Sequence, residues 1–373
     1  MNRTTSTGPT AEAQLRFLQR IGRILDEGRF TTTYKFALLI ALTNIAVRTG
    51  HDDDATLDVP LDELAREFID LHWSMARPYP GLGGALLRFG THTAGTAAVI
   101  SAIAPHAGAA RASHAHRIEH RPTESKLVAT VRRTITRDVL YRLQALGPAQ
   151  AGAEDTVQFL YRHPPDAAGC AALEHITLRP GVAACLRSLR QVIVAMVQAR
   201  WAQWMREHND QLGPDRNLES FLFGTSRIPL AHHAAWLHEL QDGRCFYTGT
   251  RLRSPADAAV DHFLPRARYA LDEPANLVLA AKSVNGNKSD CIASARHLAA
   301  WARRNAEMRG GGAGWPEDAP RTGPADGGWH TARAVAGWLY AIAERDGLSV
   351  WDAPGKLAPL DAGWRGALGV EAA

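Results

Sequence analysis

Cysteine is scarce in this chain, and the few cysteines lie far apart. The 373 residues contain four of them, Cys170, Cys185, Cys245 and Cys291, and no two form a CxxC pair. A disulfide-stabilised domain needs many paired cysteines, and a four-thiolate zinc site needs closely spaced pairs. The spacing favours neither, so we expect a protein of a reducing compartment, the cytoplasm.

Long apolar runs are also missing. The N-terminal sequence MNRTTSTGPTAEAQ lacks the apolar core of a signal peptide. The longest apolar run, FALLIALTNIAV at 36–47, is shorter than the ~20 residues that a membrane-spanning helix needs. We therefore expect no membrane association, and we interpret this run as a buried helix.

Neither sign of charge dominates. Lysine and arginine together number 42 and aspartate and glutamate 38, which gives a net charge of +4, and 46% of the residues are hydrophobic. A disordered chain has fewer apolar residues and a larger net charge, so the composition indicates a folded, globular protein. The length suffices for roughly two domains. The small positive charge is compatible with a nucleic-acid partner but does not require one.

The first 240 residues carry mainly helical signals. In PLDELAREFIDLHWSMARPYP, which begins at Pro60, apolar residues recur at helical spacing between proline-containing ends. Further helices are expected over 123–146, 181–208 and 230–240, and strand-like alternation is scarce. The sequence therefore predicts a mainly α fold.

Three regions follow from this pattern. Residues 1–240 are expected to form a large helical domain that binds the substrate or regulates activity, and residues 241–300 a small separate module. Residues 301–373 are expected to form a glycine-rich linker and a helix that packs back on the body of the protein.

The stretch from Arg111 to Arg142 is the most basic of the chain, with eight basic residues against three acidic ones. One interpretation is a solvated helix face. The other is a surface that follows a phosphate backbone, with Arg132, Arg133 and Arg137 as candidate contacts. The sequence leaves both open, and we do not expect a metal ion at the histidines of the HAHRIEH sequence within this stretch.

The small module combines polar residues that an ordinary core segment would not contain. Its sequence has an aromatic run that turns on Gly249 (CFYTG), a short strand that ends in Asp261 and His262 (AAVDHFLP), a second strand that follows Asn276 (NLVLA), and a helix start that contains Asn285 (AKSVNGNKSD). The predicted order is strand, loop, strand, helix. Such a scaffold holds a few polar side chains against one phosphate group.

These residues resemble the HNH, or ββα-metal, endonuclease family over about fifty residues from Arg244 to Ala295. Asp261 and His262 look like the family's paired metal ligand and general base. Asn276 matches the middle asparagine and Asn285 the last position, so the module resembles an H-N-N variant. The spacing and the N-x-x-K-S-D ending are similar to those of the HNH domain in RNA-guided CRISPR nucleases.

The chemistry of phosphodiester hydrolysis explains the first residue types. A water molecule must lose a proton, and imidazole, which ordinarily titrates near neutral pH, is suited to accept it. His262 is the candidate base. A hard divalent cation held by oxygen ligands offsets the negative charge that develops. Asp261 and Asn285 are the candidate metal ligands, and this oxygen set suits Mg²⁺ or Mn²⁺ better than zinc.

Two further residues are assigned supporting roles. Asn276 is expected to bridge the loop backbone around His262 with its amide and so to fix the orientation of the imidazole. Lys288 lies three residues after Asn285, so that both face one side of a helix, and it is expected to contact a substrate phosphate.

The resemblance implies a metal-dependent endonuclease that acts on DNA, double-stranded by analogy with the family, in restriction or phage defence with possible protein partners. Two alternatives stay open: a nuclease subunit that a partner must activate, and an inactive nucleic-acid-binding module. Thr248 stands where many family members have a second cysteine. We therefore expect no structural zinc, and a module that is held by packing against the helical part.

Overall fold

The computed structural model describes residues 8–28, 30–80, 82, 85–91, 98–107, 121–144, 158–212, 218–223, 231–266, 268–269, 273–310 and 328–369. These residues form two compact units, one up to Phe223 and the other from Ala231 onward. The HAHRIEH histidines, His114, His116 and His120, and most of the glycine-rich stretch after Gly310 lie outside the described residues.

The first unit is mainly helical. Its helices are α1 (Ala11–Glu27), α2 (Tyr34–Thr49), α3 (Leu61–His72), α4 (Ala98–Ala107), α5 (Arg121–Asp138), α6 (Ala167–Ala171), α7 (Val182–Ser188), α8 (Arg190–Glu207) and α9 (Leu218–Leu222). Strands β1 (Leu57–Pro60) and β2 (His175–Leu178) pair in an antiparallel sheet. The predicted helical character is confirmed, whereas the short β1–β2 pair was not predicted.

Helix α2 lies at the centre of the core of this unit. Thirteen of its 16 residues are buried, and it packs against α3, α7 and α8. A helix that is apolar around its whole circumference must be covered on every side. The interpretation of the run at 36–47 as a buried helix is therefore confirmed.

The region predicted as one helix over 181–208 is two helices. Helices α7 and α8 meet at Leu189 with a bend of 80°. The buried Arg187 at the end of α7 donates hydrogen bonds to the carbonyl groups of Ala46, Val47 and Gly50. Carbonyl groups at the end of a helix are short of intrahelical donors; the carbonyl of Ala46 also accepts a hydrogen bond from the N–H of Gly50 at 2.9 Å. The bonds from Arg187 hold the end of α7 against the end of α2. Among the described helices, none alone is long and apolar enough to cross a membrane, and only this bent pair meets the length and composition criteria when its members are combined.

His72 is a buried histidine in this core. Its Nδ1 donates a hydrogen bond to the carbonyl oxygen of Phe68 at 2.8 Å, and its ring lies against those of Tyr34, Phe68 and Trp201. Burial lowers the pKa of His72 to about 4, because the apolar surroundings disfavour the charged imidazolium. The folded unit therefore keeps this histidine neutral.

The stability of the first unit should decrease in weak acid because of His72. The unfolded chain accepts the proton near pH 6.5, whereas the folded unit does so only when the pH approaches the lowered pKa of about 4. The free energy of unfolding should fall by about 3 kcal/mol across that interval. Urea unfolding of the wild type and His72→Phe over this pH range, with the exposed His51→Ala as a control, measures the effect. An unchanged pH dependence in His72→Phe would contradict it.

The second unit contains the polar constellation. It is built from α10 (Ala231–Leu240), β3 (Ala258–His262), β4 (Leu277–Ala281), α11 (Lys282–Lys288), α12 (Ala295–Gly310), α13 (Trp329–Arg345), β5 (Ser349–Ala353), β6 (Lys356–Pro359) and α14 (Trp364–Leu368). Strands β3 and β4 are antiparallel, and α11 follows β4 directly and packs on both strands. The predicted order of strand, loop, strand and helix is confirmed.

Candidate active site

Asp261 and His262 lie at the end of strand β3. In the antiparallel register they pair with Val278 and Leu277 of strand β4. The carboxylate and the imidazole residues are 8% and 7% exposed, so both are nearly enclosed. Strand β4 and helix α11 pack against β3 at this end of the sheet. Their packing buries the two polar residues.

Asn276 holds the loop that follows His262. Its side-chain oxygen accepts a hydrogen bond from the backbone N–H of Leu264 at 2.7 Å, and its amide nitrogen donates to the carbonyl of Leu264 at 3.1 Å. Its own carbonyl accepts from the N–H of Phe263 at 2.7 Å. Asn276 is fully buried. These three bonds all lie on the C-terminal side of His262, whereas the sequence predicted bonds on both sides.

Lys288 is not where a phosphate-binding residue was expected. Its side chain is fully buried, and its ammonium group lies 3.0 Å from Asp261 Oδ2 and donates a hydrogen bond to the carbonyl of His262 at 3.0 Å. A charged ammonium taken out of water needs a carboxylate and further acceptors. The acid that precedes His262 supplies that partner, and this draws Lys288 inward.

Tyr247 is a residue of the site that was not predicted from the sequence. Its hydroxyl donates a hydrogen bond to Asp261 Oδ2 at 2.6 Å, so that Oδ2 accepts from both Tyr247 and Lys288. Burial, together with the nearby Asp261 carboxylate, raises the pKa of Tyr247 well above its usual value, and the hydroxyl stays a donor. The aromatic run CFYTG was the available signal, but only the fold shows which ring faces the acid.

Two family models match this chain. A model described as a domain of unknown function, DUF8808, matches residues 14–222, more than half of the sequence. The chain belongs to this DUF8808 family. A model described as HNH endonuclease matches residues 245–294, which confirms the resemblance found in the sequence. No curated protein and no solved structure matches.

The HNH match gives the second unit a class of chemistry. We call residues 245–294 the HNH module and residues 14–222 the DUF8808 domain. An HNH endonuclease domain implies nuclease activity on a nucleic acid, and HNH nucleases generally use a divalent metal ion. The chain thus combines an HNH module near its C-terminus with an N-terminal domain of unknown function.

The oxygen donors of the HNH module fit a hard divalent cation. Asp261 Oδ2 is occupied by Tyr247 and Lys288, while Oδ1 accepts no hydrogen bond from the described residues. The half-buried Asn285 side chain likewise has no hydrogen-bond partner among them. The described residues hold no group of three His, Cys, Asp or Glu side chains placed for a metal. One carboxylate oxygen and one amide oxygen suit Mg²⁺ or Mn²⁺, which retain several waters.

A C-terminal hairpin braces the HNH module. The backbone of Trp351 in β5 bonds to Ile292 and Ser294 at 2.8 Å each, and its indole N–H donates to Asn287 Oδ1 of α11 at 2.9 Å. The Trp351 ring also packs edge-on against Tyr247, with centroids 5.2 Å apart. One tryptophan therefore contacts both the helix that carries Asn285 and the tyrosine that binds Asp261. This hairpin was not predicted from the sequence.

Proposed function

We propose that this protein is a metal-dependent endonuclease that hydrolyses phosphodiester bonds in double-stranded DNA. The observation that carries the proposal is the placement of His262 beside Asp261 at the end of β3, followed by a loop that Asn276 fixes with three hydrogen bonds. A positioned imidazole next to oxygen ligands is the arrangement that this hydrolysis requires.

Each residue of the site has a separate role in the proposed reaction. His262 takes the proton from the attacking water, and Asn276 holds the loop so that the imidazole keeps one orientation. Asp261 Oδ1 and Asn285 would hold Mg²⁺ or Mn²⁺. When bound, such an ion stabilises the negative charge on the phosphate oxygens. Lys288 and Tyr247 hold Asp261 Oδ2, so that the carboxylate offers one oxygen in a fixed direction.

The biological setting that we propose is restriction or phage defence in the cytoplasm, by analogy with other chains that join a helical region to an HNH module. Protein partners of such a system fit the same proposal. The alternative of an inactive binding module is less well supported, because His262, Asp261 and Asn285 are all present.

Cleavage should depend on a divalent cation. EDTA should abolish nicking or linearisation of plasmid DNA, and added Mg²⁺ or Mn²⁺ should restore it, because the oxygen ligands favour hard ions. Asp261→Ala and Asn285→Ala should each reproduce the effect of EDTA. The control is the exposed Asp290 of the same segment, and Asp290→Ala should cleave normally. Asn287 is unsuitable as a control because its side-chain oxygen accepts a hydrogen bond from Trp351.

Gel assays of plasmid cleavage, with and without the metal, test this proposal directly. Cleavage that persists in EDTA, or tightly bound zinc that resists chelation and is needed for activity, would contradict it.

A further inference from the structure

A groove of about 740 Å³ lies between helices α3 and α5 of the DUF8808 domain. Its polar lining consists of Asp62 and Arg66 from α3 and Ser125, Arg132, Arg133 and Thr136 from α5. Helix α5 belongs to the most basic stretch of the chain, for which the sequence leaves both a solvated face and a phosphate-binding surface open. The structure adds Arg66 from another helix to the same surface.

The α5 residues of the groove form one continuous helical face. Ser125, Ala129, Arg132 and Thr136 are spaced by three or four residues, which places them on one side of a helix. At 1.5 Å per residue this face is about 16 Å long. Phosphates of one DNA strand follow one another every 3.4 Å along the duplex axis, so the face has room for several of them.

The three arginines of the groove differ in whether a carboxylate of the protein pairs with them. Arg132 lies 2.9 Å from Glu174 and 3.2 Å from Asp62, so the protein itself neutralises it. Arg66 and Arg133 are exposed, and no ion pair or hydrogen bond is formed by either guanidinium with the described residues. Two positive charges are therefore directed at a concave surface without a carboxylate of their own.

We propose that this groove binds the phosphodiester backbone of DNA through Arg66 and Arg133. Guanidinium groups bind phosphate oxygens in a bidentate manner, and both guanidinium groups line the groove. A small-molecule site is typically enclosed and mostly apolar, whereas this groove is open and four of its nine lining residues are charged. The inference rests on the proposed function for the identity of the polyanion.

The structure also selects which arginines to test. Arg137 pairs with Asp138 at 3.2 Å and does not line the groove, and Arg132 is held by acids of its own domain. Of the three arginines considered from the sequence, Arg133 alone lines the groove without a described partner. The informative variant is therefore Arg66→Ala/Arg133→Ala.

The test measures binding separately from cleavage. Fluorescence anisotropy with a labelled 30-base-pair duplex, in EDTA and at several salt concentrations, gives the affinity and its salt dependence for the full chain. The double variant should bind roughly tenfold to a hundredfold more weakly at ~0.1 M salt, and the slope of log K against log salt should fall by about 2. The loss should be the same for unrelated DNA sequences.

The control is Arg88→Ala/Arg162→Ala. It removes the same charge from two exposed arginines of the DUF8808 domain that do not line the groove, and its affinity should stay within about twofold of the wild type. Thermal unfolding of each variant verifies that the domain remains folded.

The outcomes separate this inference from the proposed function. Suppose that the wild type does not cleave with Mg²⁺ or Mn²⁺, and that the groove variant loses DNA binding while the control variant keeps it. DNA binding by the groove is then supported, and the nuclease proposal is rejected. If the wild type cleaves and the groove variant binds like the control, the inference is overturned. Absence of any DNA binding by the wild type, or displacement of the duplex by a mononucleotide at low concentration, also overturns it.

Discussion

Replacing His262 with alanine is expected to abolish DNA cleavage. A positioned general base contributes about 10²- to 10⁴-fold to a rate, and no other described histidine lies at the end of β3 beside Asp261. The DNA affinity should stay close to that of the wild type, because the nearly enclosed imidazole, 7% exposed, contributes little contact area to a bound duplex. The loss should therefore appear in the single-turnover rate at saturating protein.

Two comparisons make this result specific. His262→Gln keeps most of the side-chain volume in this nearly enclosed position and should be as inactive as the alanine variant, which excludes a cavity as the cause. The exposed His330 of α13 provides the control, and His330→Ala should retain the wild-type rate. Cleavage by a carefully purified His262→Ala protein at more than about a tenth of the wild-type rate would remove His262 from the mechanism.

Replacing Lys288 with methionine is expected to destabilise the HNH module by about 3–5 kcal/mol. The substitution keeps an unbranched chain but leaves the buried Asp261 carboxylate with Tyr247 as its one remaining described donor. It also removes the hydrogen bond to the His262 carbonyl. A buried charge that loses its partner costs more than the intact pair contributes.

Hydrogen exchange of the amides in β3 and β4, together with urea unfolding, measures this loss. Lys282 lies on the same helix with an exposed side chain that bonds to the carbonyl of Ala256, so Lys282→Met is the control and should change stability by less than about 1 kcal/mol. Adding Asp261→Asn to Lys288→Met should recover part of the stability. Unchanged exchange with reduced DNA affinity would instead assign Lys288 to a phosphate contact.

The hairpin of β5 and β6 contacts the turn of the CFYTG sequence through the rings of Trp351 and Tyr247. Cys245 is buried here, and its sulfur accepts a hydrogen bond from the N–H of Ala281 at 3.4 Å. Thr248 bonds to the hydroxyl of Thr250 at 2.8 Å within the turn. Trp351 then links this turn to α11 through Tyr247 and Asn287. The C-terminal segment is thus structurally part of the unit that holds the candidate site.

The sequence by itself determined the parts that depend on short separations along the chain. Asp261, His262, Asn276 and Asn285 lie within 25 residues of one another, on two short paired strands, the loop between them and the helix that follows directly. The mainly α character of the first unit followed from helical periodicity and proline positions. The buried helix over 36–47 followed from an apolar run that no exposed helix tolerates.

Tertiary structure alone decided which groups meet across long separations. A seven-residue helix such as α11 has too few turns for periodicity to show which face is covered, so the inward position of Lys288 depends on the buried carboxylate that it meets. Trp351 and Asn287 are 64 residues apart, and Arg66 and Arg133 lie on different helices. Such contacts leave no local pattern, because the residue types are the same whether a side chain faces water, a carboxylate or a groove.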